Sequence, residues 1–161
     1  MITVELDNFS LKEICQSGQC FRMYETAENT YELIAGDKYL KMTQEGSIVN
    51  FYCSDMEFIC YWVPYFDIDA DYSSYIAKIN PRDTYLVEAA ECGSGIRILQ
   101  QDLWEMIITF IISQQQTIPS IRRRVEDLSH AYGSRLPVPA HFTPSRRRNS
   151  SLPLLWRICL P

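Results

Sequence analysis

The stretch from Gly95 to Arg124, GIRILQQDLWEMIITFIISQQQTIPSIRRR, constrains the fold more than any other part of the chain. Asp102 is a natural helix N-cap, and Glu105 stands three residues on, the spacing of a capping box. Trp104, Ile107, Ile108, Phe110, Ile111 and Ile112 then leave almost no polar face, which predicts a core helix buried nearly all round. The apolar run is too short to span a bilayer. Gln114, Gln115 and Gln116 interrupt it. Thr117 can cap a second helix, Pro119 suits its first turn and Gly133 its end. Ile118, Ile121, Val125 and Leu128 give that helix one buried stripe, with Arg122, Arg123 and Arg124 mostly off it. Amides and positive charge therefore meet at the mouth between two packed helices. Such a mouth suits nucleic acid, although a solvated helix end with ordinary surface arginines has the same composition.

Upstream the pattern changes. Residues 2–6 alternate as a strand, and a short helix follows near Leu11–Gln16, with Ser10 as cap and Glu13 reaching back. Strands are expected at Cys20–Tyr24, Tyr31–Ala35, Tyr39–Thr43 and Ser47–Tyr52, with Gly36-Asp37 and Glu45-Gly46 as tight turns between them. This is an antiparallel meander with helices on one face, an α+β arrangement. From Ser54 the pattern turns helical: Ser54 and Glu57 form a capping box, and Asn80-Pro81 opens a helix that stops near Gly93. The expected organisation is an α+β domain over residues 1–53, a helical region over 54–133, and a tail over 134–161.

The tail, SRLPVPAHFTPSRRRNSSLPLLWRICLP, holds five of the eight prolines and no acidic residue, and its apolar residues follow neither helical nor strand period. It carries +5, whereas residues 1–133 carry −10, so the chain's net charge of −5 hides two unlike parts. An acidic body can still bind DNA through a local basic patch, since phosphates need cations only where they touch. Cys15, Cys20, Cys53, Cys60, Cys92 and Cys159 form no CxxC pair and no metal-ligand spacing with His130 or His141. They read as reduced thiols of a cytoplasmic protein, with no metal, cofactor or membrane implied. No basic start followed by an apolar run marks a secretory signal.

Four blocks in order carry a resemblance: Ser17-Gly18-Gln19-Cys20-Phe21-Arg22, YFDIDADY at Tyr65–Tyr72, GIRILQQD, and FIISQQQTIPSI. Together they resemble the 8-oxoguanine DNA glycosylase family of the helix-hairpin-helix superfamily, over roughly Phe9 to Gly133. The resemblance implies a curled antiparallel N-terminal domain followed by the first helices of an all-helical glycosylase domain. It also implies a role in base excision repair, with double-stranded DNA containing an oxidised purine as partner and no obligate protein partner. Enzymes of this family flip the damaged base out of the duplex, and a lysine attacks its sugar while an aspartate stabilises the developing charge. Both residues follow the hairpin in relatives, beyond the matched region. Lys12, Lys38, Lys41 and Lys78 fit no such motif, so no catalytic residue is assigned.

The resemblance gives Gly18 a role in offering its backbone carbonyl to the N7 hydrogen of oxidised guanine, though a helix stop after Gln16 explains the glycine equally well. Gln115 is implied as the amide that fills the gap left by the flipped base, with Gln116, Arg122 and Arg123 beside it at the DNA. Ser120 stands where relatives often have an arginine that reads the partner base. Met23 replaces a common tryptophan, and Gln100 a common arginine. The likeness fades between Gly133 and Pro139, where a frameshifted reading frame or a natural proline-rich tail are the alternatives. The expected activity is DNA N-glycosylase and abasic-site lyase by family, with this chain an inactive fragment. The alternatives are a non-catalytic DNA-binding fragment and a non-functional truncation product.

Overall fold

Alternation builds the sheet. Tyr31, Leu33 and Ala35 on one strand and Leu40 and Met42 on the next point the same way and are buried, as a period of two requires. In the computed structural model, which describes residues 1–135 and 156–157, five strands form one antiparallel sheet. They are β1 (Ile2–Glu5), β2 (Met23–Ala27), β3 (Thr30–Ala35), β4 (Lys38–Glu45) and β5 (Ile48–Phe51), in the order β1-β5-β4-β3-β2. The β3–β4 and β4–β5 connections are two-residue hairpin loops, with Gly36 at φ +56° and Gly46 at φ +59°. The β2–β3 turn uses Asn29 at φ +54°, a residue type that tolerates this conformation. The residue pattern predicts β2 from Cys20. The strand begins only at Met23, because residues 97–101 bond the backbone and side chain of Gln19 and hold the preceding loop apart.

Helices cover one face of this sheet. α1 (Leu11–Gln16) is capped by Ser10 Oγ, which accepts from the Glu13 N–H, and buries Leu11, Ile14 and Cys15. Past β5, α2 (Asp55–Glu57) runs through a π-helical turn at Phe58–Trp62 into α3 (Val63–Tyr65). Pro64 has no N–H for the regular ladder, and the Val63 N–H reaches back five residues to Phe58. Phe58, Trp62, Tyr65 and Phe66 pack with Phe51 and Phe9 into the core against the sheet, mostly as edge-to-face aromatic pairs.

Four more helices follow: α4 (Tyr72–Ile76), α5 (Thr84–Cys92), α6 (Leu103–Ser113) and α7 (Ile118–Tyr132). α5 starts later than Asn80-Pro81 suggested. Asn80 Oδ1 accepts from the Arg82 N–H in a tight turn, and Asp83 is the true cap, bonding the Leu86 N–H. Gly133 ends α7, but Thr117 makes no side-chain cap to its start.

The expected core helix is only partly buried. On α6, Glu105 and Thr109 are buried and Ile112 is half-buried, while Phe110 is 69% exposed and Ile111 62%. The docked stripe runs through 105, 109 and 112, so the helix touches the rest of the described residues along its more polar line. Ile112 joins Phe21, Ile121 and Val125 in a small second cluster. On α7 the buried line is Ile121, Val125 and Ser129, whereas Ile118, expected inside, is exposed. The expectation of an irregular tail meets one exception: β6 (Ser134–Arg135) pairs antiparallel with β7 (Trp156–Arg157). Backbone pairing needs no apolar period; the remaining tail lies outside the described residues. No helix among the described residues is long and apolar enough to cross a membrane.

Candidate nucleic-acid interface

The loop after α1 is built to hold one glycine in place. Ser17 Oγ donates to the Ile14 carbonyl and closes the helix, and Gly18 follows at φ +76°, a conformation that favours glycine. A side chain there would meet Ile118 Cδ1 at 3.8 Å, ordinary contact, so backbone conformation rather than crowding calls for glycine. The helix-stop role therefore accounts for the glycine on its own. Next to it, the Gln19 side chain acts as a rung between two chain segments. Its Nε2 donates to the Arg97 carbonyl at 2.9 Å and its Oε1 accepts from the Leu99 N–H at 3.0 Å. Gln101 Nε2 returns a bond to the Gln19 carbonyl at 2.7 Å.

Arg97 anchors the segment that receives Gln19. Only 4% exposed, its guanidinium donates to the carbonyls of Asp7, Asn8, Asp67 and Ala70, and lies 4.2 Å from the Tyr72 ring centroid. Burial lowers its pKa from the ordinary guanidinium range, opposed by Tyr72 and Asp67. Three of the sequence blocks thus form one scaffold: the 65–72 turn holds Arg97, the 97–101 segment holds Gln19, and Gln19 adjoins Gly18. Gly95 lets this scaffold close. Its carbonyl accepts from the Ser10 N–H at 2.8 Å, and a Cβ on it would fall 2.6 Å from Ser10 Cβ.

Across the loop lies the mouth between α6 and α7. Asp102 caps α6 as expected, bonding the Glu105 N–H, but the Glu105 carboxylate does not return the bond. It accepts instead from the Gly36 N–H at 3.2 Å, tying α6 to the β3–β4 turn. Burial raises its pKa above 4.5, partly offset by that bond and by Arg22. The three glutamines are not equivalent. Gln114 Nε2 donates to the Phe110 carbonyl, and Gln116 Oε1 accepts from the Ser120 hydroxyl. Gln115 is exposed, sits at φ +56°, and is the residue of the three whose side chain is left to project outward. Ser120 is therefore engaged with Gln116.

Of the predicted arginines, Arg123 and Arg124 are exposed on α7, and Arg123 makes a solvent-facing ion pair with Asp127 at 4.0 Å. Arg122 points the other way. It donates to the Cys15 carbonyl at 3.0 Å and lies 5.7 Å from the Tyr24 ring centroid, bracing α7 against the end of α1. Glu126 accepts from the Tyr24 hydroxyl and stands 3.9 Å from Arg22, which is 1% exposed. Burial and the neighbouring Glu126 carboxylate push the Tyr24 pKa far up. Ile118 joins the halves of the site: it begins α7 three residues after Gln115 and touches the Gly18 position. Gln19 and Arg97 were not singled out from sequence, although an arginine between apolar Ile96 and Ile98, in step with buried Gly95 and Leu99, was a readable sign of a buried cation. Among the described residues, no group of His, Cys, Asp and Glu could hold a metal ion.

The family model for 8-oxoguanine DNA glycosylase, N-terminal domain, matches residues 1–107. This chain belongs to the 8-oxoguanine DNA glycosylase family. Solved structures agree. A structure described as MBOgg1 in complex with a low affinity DNA ligand is 34% identical with a TM-score of 0.80, over 86% of this chain and 48% of that one. The Clostridium acetobutylicum 8-oxoguanine glycosylase/lyase in its apo form is 35% identical with a TM-score of 0.77, over 83% of this chain and 47% of that one. The same enzyme in complex with double-stranded DNA containing cytosine opposite 8-oxoG matches at 35% identity and a TM-score of 0.77, over 82% and 46%. The chain thus spans about half the length of these glycosylases, and the α+β architecture read from its sequence is theirs.

Proposed function

We propose that this chain supplies one wall of a cleft that receives an extruded 8-oxoguanine from double-stranded DNA in base excision repair. One observation carries the reading: a side chain on Gly18 would meet Ile118 Cδ1 at 3.8 Å, so the Gly18 loop and the start of α7, three residues from Gln115, are neighbours. A base reader and a gap filler must lie this close to serve one nucleotide. Gly18 would present its carbonyl to the lesion, and the exposed Gln115 amide would enter the stack, beside Gln116 and Ser120, which are bonded to each other. Arg123 and Arg124 supply positive charge at the same helix; Arg122 acts as a strut, its guanidinium being turned inward to Cys15. The reaction served is glycosylase/lyase chemistry on 8-oxoguanine, the activity named for the Clostridium relative.

The second reading, binding without catalysis, is favoured by where the lysines lie. Lys12 is on α1, Lys38 and Lys41 are on β4, and Lys78 follows α4, so none is on α6, α7 or the loop between them. Lys41 and Lys78 rest over the rings of Tyr52 and Tyr75. Borohydride trapping on a duplex containing 8-oxoguanine separates the two readings, because a Schiff-base lysine alone gives a covalent adduct. Residues 1–161 are expected to give none. A mobility shift then reads binding: preference for the 8-oxoguanine duplex over the guanine duplex, with affinity for the lesion duplex lowered in Gln115→Ala, supports the proposed wall, and equal affinity for both duplexes rejects it.

A further inference from the structure

We infer that Gln19 is a positioning residue for the lesion-reading carbonyl of Gly18, and this rests on the reading of Gly18 just given. The geometry is that of a strand rung made by a side chain. A primary amide offers a donor and an acceptor in one plane, and Gln19 uses the first on the Arg97 carbonyl and the second on the Leu99 N–H, two residues apart on one extended segment. Nε2 also reaches Ser17 Oγ at 3.1 Å, so the amide holds the residue before Gly18 as well as the one after it. From the other side, Gln101 holds the Gln19 carbonyl.

The anchor does not yield. Arg97 is fixed by four carbonyls from two separate turns, so the load on Gln19 passes to the rigid part of the molecule. Gly18, at φ +76°, has no Cβ to restrict its backbone. Without the rung, the carbonyl of Gly18 keeps its chemistry but loses its fixed direction. Reading the purine N7 depends on that direction, because guanine and 8-oxoguanine differ at this position by one hydrogen.

The residue is not replaceable by its isosteres. Glutamate keeps an acceptor for the Leu99 N–H but sets a carboxylate oxygen against the Arg97 carbonyl. Asparagine is one methylene too short to span both. The requirement is for a primary amide at this length.

The test uses the whole chain, with Gln19→Ala and Gln19→Glu, each read in two ways. The first is NMR of the free protein: hydrogen exchange at the Leu99 amide and the carbonyl-carbon resonance of Gly18. The Gly18 resonance should change in each variant, and Leu99 exchange should quicken in Gln19→Ala, which leaves that N–H without its acceptor, while the amides of β3 and β4 keep their protection. The second is the ratio of affinities for 8-oxoguanine and guanine duplexes. It should fall about tenfold, the value of one hydrogen bond of about 1.4 kcal/mol, with guanine-duplex binding unchanged. A merely structural role would weaken both duplexes together, and that result overturns the inference. So does a Gly18 resonance that stays in place when Gln19 is changed. If the unaltered chain shows no preference, the reading of Gly18 fails, and the Gly18 resonance still decides whether Gln19 fixes its position. Gln19→Glu covers the case in which Gln19→Ala does not fold.

Discussion

At the scale of single residues, two positions allow sharp tests. Gly95 combines φ +84° with a backbone approach in which a Cβ would lie 2.6 Å from Ser10 Cβ and 3.0 Å from Ser10 N. Gly95→Ala should therefore cost about 2–4 kcal/mol, the sum of a left-handed penalty and local overpacking, measured as a lower urea midpoint at unchanged slope. Glu105 is a different case. Its folded pKa lies above its ordinary 4.5, so between these values the folded state binds more protons than the unfolded state. Stability then falls as pH rises from 4.5 through the raised pKa, because the buried carboxylate must be charged. Glu105→Gln keeps an acceptor for the Gly36 N–H and removes that charge. Denaturation across pH 4.5 to 7 should show the parent losing stability relative to the variant. A gap that is constant over this range would mean the proton uptake has another source.

At the scale of elements, α6 shows both the reach and the limit of pattern reading. Its ends were legible because caps are local: Asp102 bonds the Glu105 N–H, and the amides that follow Ser113 break the run. The same locality made α1, the β3–β4 and β4–β5 turns and the Ser54 cap readable. What lies across from a face is not local. The apolar run states what α6 would bury if covered, while the described residues dock it through Glu105, Thr109 and Ile112. The site divided along the same line. Gly18 and Gln115 were picked out by the family resemblance; the local pattern alone offered a helix stop and a break in the apolar run. That Gln116 braces Ser120, that Arg122 turns inward, and that Gln19 spans to Arg97 and Leu99 depended on contacts between residues far apart in the chain. The exposure of α6 gives its own prediction. Phe110→Lys and Ile111→Lys should each change stability by no more than about 0.5 kcal/mol and reduce self-association, measured by thermal melting and sedimentation. A loss of several kcal/mol would show these side chains to be covered in solution.

At the scale of the whole molecule, charge decides how DNA can be held. The sequence pI is about 5.0, and residues 1–133 carry −10, so long-range attraction to a duplex is weak or opposed. The proposed binding would then rest on few cations close to the phosphates. Among the described residues at the start of α7, Arg123 and Arg124 are exposed, and Arg123 is partly neutralised by Asp127. Each phosphate neutralised contributes a slope of about −0.9 to log K against log salt, so the described part of the interface should give a shallow slope of about −1 to −2. Arg124→Ala should flatten it by about one unit and weaken 8-oxoguanine and guanine duplexes equally, as a phosphate contact does. Arg122→Ala should leave the slope nearly unchanged and lower thermal stability instead, since its charge serves the Cys15 carbonyl and the Tyr24 ring. Fluorescence anisotropy titrations from about 50 to 200 mM salt read these slopes directly. If Arg122→Ala flattens the slope and Arg124→Ala does not, the inward strut and the outward contact have been assigned to the wrong residues, and the duplex must approach α7 from the side of α1.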